Sequence, residues 1–172
     1  MNLTKLERRL LINQFEILKK LEDTDEYDRL ITILEEGYSS LYRDVLINLW
    51  DELPEADCNF VFEVLLMYRA LEDYYEDKGD EELKKNPSAK FSGFDGNNET
   101  HLMSFAQFLI SQPGHWDFLK DRAAKTDRFN SHMPRVPVYE RMLEVWEKSG
   151  DKLRLTAEEA KAVVQAARGN DG

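Results

Sequence analysis

The 172-residue sequence predicts an all-α protein: a single compact multi-helix bundle of about seven to eight helices, with an irregular proline-bounded loop in its second half. Three observations carry that expectation. Only 8 glycines and 5 prolines punctuate the chain. Leucines outnumber valines and isoleucines together, and the strict alternation of a half-buried strand is missing. Apolar residues recur instead at spacings of three and four, the rhythm of one helix face.

The first helix opens on Thr4-Lys5-Leu6-Glu7, a capping box in which the threonine accepts from the Glu7 amide and the glutamate reaches back. It runs to about Leu21. Its apolar residues Leu3, Leu6, Leu10, Leu11, Phe15, Ile17, Leu18 and Leu21 cover about half the circumference at about 100° per residue, and Gln14 falls inside that arc, a polar amide expected to point inward. Two roles suit Gln14: a core amide bonded to a neighbour, which is the preferred reading, or a specificity group in an interhelical pocket. Thr24 and Asp25 offer the cap of a second helix, with Leu30, Ile31, Ile33 and Leu34 as its stripe and Gly37 as its left-handed stop. A third, shorter helix is expected around Leu41 to Trp50. Leu53-Pro54-Glu55 starts a fourth, and from Phe60 to Leu71 only Glu63 and Arg69 interrupt the apolar run, as in the buried centre of a bundle.

Seven acids between Glu72 and Glu82 face the lone cation Lys78, with Gly79 among them, and predict a solvated helix end and loop. Tyr74 and Tyr75 there suit either a partner surface or a helix end packing on the loop. Asn86 to Lys90 has linker composition. Residues 1–168 are nonetheless expected to form one domain with 72–90 as an excursion, because neither half looks large enough to bury its apolar faces, and 169–172 to fray. In the second half, a loop from Phe91 to Glu99 feeds a helix with Leu102, Phe105, Ala106 and Leu109 on one face, ended by Gln112-Pro113-Gly114. His115 to Pro137 is the least regular stretch, with an extended turn expected between Pro134 and Pro137. Tyr139, Met142, Leu143 and Trp146 then mark an amphipathic helix. The last helix starts at a second capping box, Thr156-Ala157-Glu158-Glu159, and carries the small-residue face Ala160, Val163, Val164 and Ala167.

With 23 Lys and Arg against 34 Asp and Glu, the net charge is −11, which argues against direct binding to duplex nucleic acid. Cys58 is the single cysteine, so intramolecular disulfides and cysteine zinc clusters are excluded. Charged residues interrupt the amino terminus, and no apolar stretch approaches the ~18 residues of a membrane span. The expectation is a cytoplasmic protein that does not engage membranes.

Asn13-Gln14, Glu36-Gly37-Tyr38, Met67-Tyr68 with Ala70-Leu71, Gly93-Phe94-Asp95 with Glu99, Phe129-Asn130, and Tyr139 with Arg141-Met142-Leu143 and Val145-Trp146 follow one another in an order that resembles the YfbU family from end to end. One departure is visible: Lys120 to Asp127 is longer and more charged than the family pattern. The resemblance implies a bacterial, mostly helical, cytoplasmic, self-associating protein. It supplies no catalytic residue to transfer.

Candidate chemistry is sparse. The Gly93-Phe94-Asp95-Gly96 loop before a helix could hold an anion on freed amides, but the Asp95 carboxylate is expected to occupy those amides itself as a cap. As a calcium loop it fails, because Thr100 replaces the required glycine and Ala106 the bidentate glutamate. His101, His115 and His132 lack any zinc spacing, so no metal and no cofactor are expected. His101 suits an edge-of-core imidazole. His115, Asp117 and His132 form the sharpest catalytic candidate, set against a bland reading as hydrogen-bonding turn residues. Cys58 near a helix start reads as a small buried hydrophobe before a nucleophile. Weaker binding candidates are Gln14, Gly93, Phe94, Asp95 and Asn130. The preferred function is contact with further copies of itself or with a protein partner. The alternative is metal-assisted or hydrolytic chemistry around His115, Asp117 and His132, and a third is a regulator tied to nucleic-acid control through a basic protein partner.

Overall fold

A computed structural model describes residues 2–47, 49–123 and 126–169. Among the described residues nine α-helices and three short 3-10 turns account for the regular structure, and the only β feature is an isolated bridge between Phe94 and Asn130. The backbone divides into two compact units, Met1–Glu52 and Leu53–Gly172.

In the first unit α1 (Lys5–Glu22) begins at the expected capping box, with Thr4 Oγ1 accepting from the Glu7 amide at 3.2 Å and Glu7 Oε2 accepting from the Thr4 amide at 2.7 Å. It packs on α2 (Asp28–Glu36) and α2 on α3 (Tyr42–Val45), around a core of Ile12, Ile31, Ile33, Leu34 and Tyr42. Gly37 ends α2 in the left-handed conformation, and the Arg8 guanidinium donates to the Leu34 carbonyl at 2.8 Å, satisfying one of the freed carbonyls of that end. Three expectations are corrected here. Thr24 does not cap α2; its hydroxyl accepts from the Glu26 amide in the preceding turn, and Tyr27 stands at the cap with its hydroxyl donating to Glu22 and no capping bond from its side chain. The third helix stops at Val45, and Asn48 lies outside the described residues. Ile47, Leu49 and Trp50 are at least 70% exposed, so the burial that normally stabilises a short amphipathic helix is not supplied. Gln14 is exposed: it follows the buried Ile12 by two residues, about 160° around the helix, so it points away from the core α1 shares with α2.

In the second unit α4 (Glu55–Lys78) is the buried centre, with Val61, Val64, Leu65, Met67, Ala70 and Leu71 at 1% exposure or less. The acids 72–77 continue this helix instead of leaving it for a loop, because Tyr74 and Tyr75 on the inner side are buried. Glu72 is half-buried and pairs with Arg122 at 2.7 Å, whose guanidinium also donates to the Tyr75 hydroxyl at 3.0 Å. Gly79 closes α4, and Asp80 caps the short α5 (Glu81–Lys85), which stands where a loop was expected. Then follow α6 (Thr100–Ser111), α7 (Asp117–Ala123), α8 (Val136–Trp146) and α9 (Ala157–Ala166). Helix α4 contacts α5, α6, α8 and α9, and α8 pairs closely with α9 through the small face Ala160, Val163 and Val164. The second capping box forms as expected, Thr156 with Glu159. The irregular stretch holds one surprise in α7, and Pro137 sits in the first turn of α8 instead of closing an extended turn. Ala124, Lys125 and the tail 170–172, which bear on the charged departure and the frayed end, lie outside the described residues.

Candidate functional site

Four of the five binding candidates converge. Phe91, Phe94, Phe129 and Tyr139 form an aromatic cluster, all at 1% exposure or less, with ring centroids 5.2 to 6.0 Å apart along the contacts that join them. The loop that carries Phe94 is bound to the Phe129–Ser131 segment: the Phe94 amide donates to the Phe129 carbonyl at 3.1 Å, the Ser131 amide to the Phe94 carbonyl at 3.0 Å, and the Gly96 amide to Asn130 Oδ1 at 3.0 Å. Gly93 is required by this approach. It has φ +89°, and a Cβ there would lie 1.8 Å from the Phe129 carbonyl oxygen. The facing segment is strained, since Asp127, Arg128, Phe129 and His132 all have positive φ, between 45° and 64°.

Polar groups lace the cluster. The Tyr139 hydroxyl donates to the Gly93 carbonyl at 2.7 Å and lies 3.1 Å from Ser92 Oγ, and burial raises its pKa. Asp95 is buried; its carboxylate accepts from the Asn97 amide at 3.1 Å and from the Asn98 side-chain amide, and these bonds, Asn98 first, hold its pKa below the ordinary value. Asp95 does occupy amides, as expected, but those of the turn before α6 and not a cap on that helix. Glu99 is the residue the sequence reading missed. One of its oxygens accepts from the Asp95 amide at 2.9 Å, and the other accepts from the amides of Arg135 and Val136 at 2.8 and 2.9 Å. A carboxylate at those freed amides suits the positive end of α8. The only local signal was a glutamate beside a Gly-Phe-Asp-Gly turn; Asp95 is within reach of that signal, but Arg135 and Val136 lie more than 35 residues away. Arg135 Nε is the one buried side-chain polar atom without a hydrogen-bond partner among the described residues, and its guanidinium sits 5.7 Å over the Tyr139 ring. Apart from that atom, the polar groups described here are bonded within the chain, and the knot joins the 91–99 loop, the 127–131 segment and the start of α8.

Gln14 lies outside this group, in the other unit. The catalytic candidates have separate local partners. His115 is exposed, its ring 6.4 Å from that of Trp116, while its carbonyl accepts from Arg69. Exposed Asp117 pairs with Lys120 at 2.7 Å and accepts from the Gly114 amide, interactions that lower its pKa in that order. Exposed His132 faces Asp127 at 3.0 Å. None of the three borders the cleft of about 380 Å³ lined by Gln107, Ile110, Lys120, Arg128 and Phe129 among others, and no three His, Cys, Asp or Glu among the described residues form a group that could hold a metal ion. His101 is exposed instead of lying at the core edge, and Cys58 is half-buried with its thiol directed to the Leu53 carbonyl at 3.9 Å.

The more distinctive surface is apolar. Of the thirteen large exposed hydrophobic residues described, nine fall in the first unit: Leu6, Leu10, Ile17 and Leu21 on α1, and Tyr38, Leu41, Ile47, Leu49 and Trp50 beyond α2. The signal was present in the sequence as an apolar arc on α1 too wide for one helix seam.

These features define an all-α protein in which, among the described residues, no helix is long and apolar enough to cross a membrane. A YfbU domain model matches residues 1–166, and the chain belongs to the YfbU family. It is also similar to the UPF0304 protein MJECS11 of Methanocaldococcus jannaschii, at 44% identity over 167 residues, covering 95% of this chain and 99% of that protein. That relative comes from an archaeon, so the family reaches beyond the bacteria that the sequence resemblance implied.

Proposed function

We propose that this protein works by binding protein surfaces, further copies of itself or a partner, through its first unit. The observation that carries this reading is the concentration of exposed apolar side chains there: nine of thirteen, in 52 of 172 residues. Soluble monomers rarely expose such clusters, because leaving them in water forgoes the hydrophobic stabilisation of covering them. The net charge of −11 favours a protein partner over duplex nucleic acid. A family match that runs through both units supports treating residues 1–168 as one functional domain, and the single cysteine suits a cytoplasmic setting.

Light scattering over a wide concentration range, together with affinity capture, tests the reading. A stoichiometric complex is expected, weakened by Trp50→Ser with Leu49→Ser and unaffected by Phe108→Ser with Leu153→Ser, which alter exposed apolar residues of the second unit. A strict monomer that captures nothing counts against it.

A further inference from the structure

We propose that the open cleft between α6, α7 and the turn at 127–129 binds a small apolar monocarboxylate, its hydrocarbon body seated on Ile110, Ala123 and Phe129 and its carboxylate held by Lys120 and Arg128. The cleft is lined wholly by residues of the second unit, so the inference goes beyond the contact reading and stands apart from it.

Two helix faces and one turn shape the cleft. Gln107 and Ile110 stand three residues apart on α6, and Lys120 and Ala123 three apart on α7, so each pair shares a face of its helix. The remaining wall is the left-handed turn at 127–129, which Gln107 ties to α6 by donating from Nε2 to the Arg128 carbonyl at 2.6 Å. Backbone strain of this kind persists where surrounding contacts hold it. Its result here is that Arg128 and Phe129, neighbours in sequence, both line the one cleft. A volume of about 380 Å³ lies at the small end of ligand pockets, and an apolar lining with a few polar groups is their usual make-up.

Charge selects the ligand. The chain holds 34 acids against 23 bases, yet two cations and no Asp or Glu line this cleft. Among the described residues Arg128 makes no ion pair. Lys120 pairs with Asp117 at 2.7 Å, but both side chains are partly in solvent, where such a bond is weak, and the ammonium has two further donors. Of the other acids close in sequence, Asp121 lies outside the lining and Asp127 faces His132 at 3.0 Å. The most buried lining residues, Ile110 and Phe129 at 3 and 1% exposure, have no polar side-chain group. A free phosphate would leave that apolar floor uncovered, and a neutral hydrocarbon would leave the cations without a counter-ion. A carboxylate on an apolar body satisfies both, and an aromatic body adds a ring contact with Phe129.

Assigned proton–nitrogen NMR spectra of the full chain, titrated with phenylbutyrate and with octanoate, test this. Saturable shifts of the Ile110, Ala123 and Phe129 amides are expected, with a Kd of about 1 mM or tighter. Binding of phenylbutyrate alone identifies an aromatic acid, of octanoate alone a fatty acid, and of both a site that reads their shared chemistry. Lys120→Gln and Arg128→Gln are each expected to weaken binding about threefold, and together about tenfold. Circular dichroism checks that these two charge removals leave the fold intact. Lys161→Gln, in a separate cleft lined by Glu82, Asn86 and Arg168 among others, is expected to leave binding unchanged. Phenylbutyramide and octanamide, which keep the body and lose the charge, and inorganic phosphate, which keeps a charge and loses the body, are expected to bind about tenfold more weakly or not at all. The inference is overturned by the lack of a saturable shift with either acid, by amides or phosphate that match the acids, or by an affinity that the double variant does not move. The contact reading is tested separately, by oligomeric state and capture with Trp50→Ser, so the two stand or fall on different measurements.

Discussion

Replacing Gly93 by alanine probes the knot where it is tightest. The new Cβ would stand 1.8, 2.4 and 2.7 Å from the oxygen, carbon and Cα of Phe129. All three are backbone atoms, so no side chain can swing aside. Relief requires the 91–95 loop and the 127–131 segment to part, which breaks the Phe94–Phe129 and Ser131–Phe94 bonds at 3.1 and 3.0 Å and displaces the Gly93 carbonyl from the Tyr139 hydroxyl at 2.7 Å. Three bonds at about 1 kcal/mol each give ~3 kcal/mol. The φ of +89° adds ~1 kcal/mol for a residue with a Cβ, for a total of ~4 kcal/mol. Gly79→Ala is the control: its φ is +65°, but a Cβ there meets nothing within 4 Å, so only the ~1 kcal/mol backbone cost applies. Both glycines belong to the second unit, where the buried Trp116 and Trp146 report unfolding by fluorescence. With an m-value of about 2 kcal/mol/M in urea, Gly93→Ala is expected to unfold ~1.5 M earlier than Gly79→Ala. Coincident midpoints for the two variants would refute the steric argument.

Other perturbations test the remaining parts. Glu99→Ala frees the amides of Asp95, Arg135 and Val136 together, and urea unfolding is expected to show a loss of about 3 kcal/mol or more, whereas Glu158→Ala, at an α9 position without such bonds, stays within about 0.5 kcal/mol. Asp95 and Glu159 both have folded pKa values below their ordinary ones, through Asn98 and Asn97 for the first and the Thr156 and Gly150 amides for the second. Their contribution is therefore complete above the unfolded carboxylate range and lost as pH falls through the lower folded values; stability measured from pH 7 downward should decline below about pH 4, less steeply in Asp95→Asn. His115→Ala with His132→Ala is expected to leave the urea midpoint and the oligomeric state unchanged, because both imidazoles are exposed; a loss of a cellular phenotype without loss of fold would instead favour chemistry at those residues.

The helical class, both capping boxes, the Gly37 stop and the buried centre of α4 were legible in the chain because each depends on residues three or four apart, within reach of one helical turn. Helix-compatible composition was not enough at Ile47, Leu49 and Trp50, whose apolar side chains stay at least 70% exposed, nor at Gln14, whose direction depends on which side of a broadly apolar helix meets α2. The sequence marked Gly93, Phe94, Asp95 and Asn130 as candidates, but not that they meet through the strained 127–132 segment.

Local spacing thus settled the helical class and the capped starts of α1 and α9, since those energies are spent within a turn. Only the folded chain decided which apolar faces are covered and which carboxylate holds the start of α8. Those outcomes turn on contacts between residues far apart along the backbone, such as Glu99 with Arg135 and Phe94 with Asn130, and no periodicity records them.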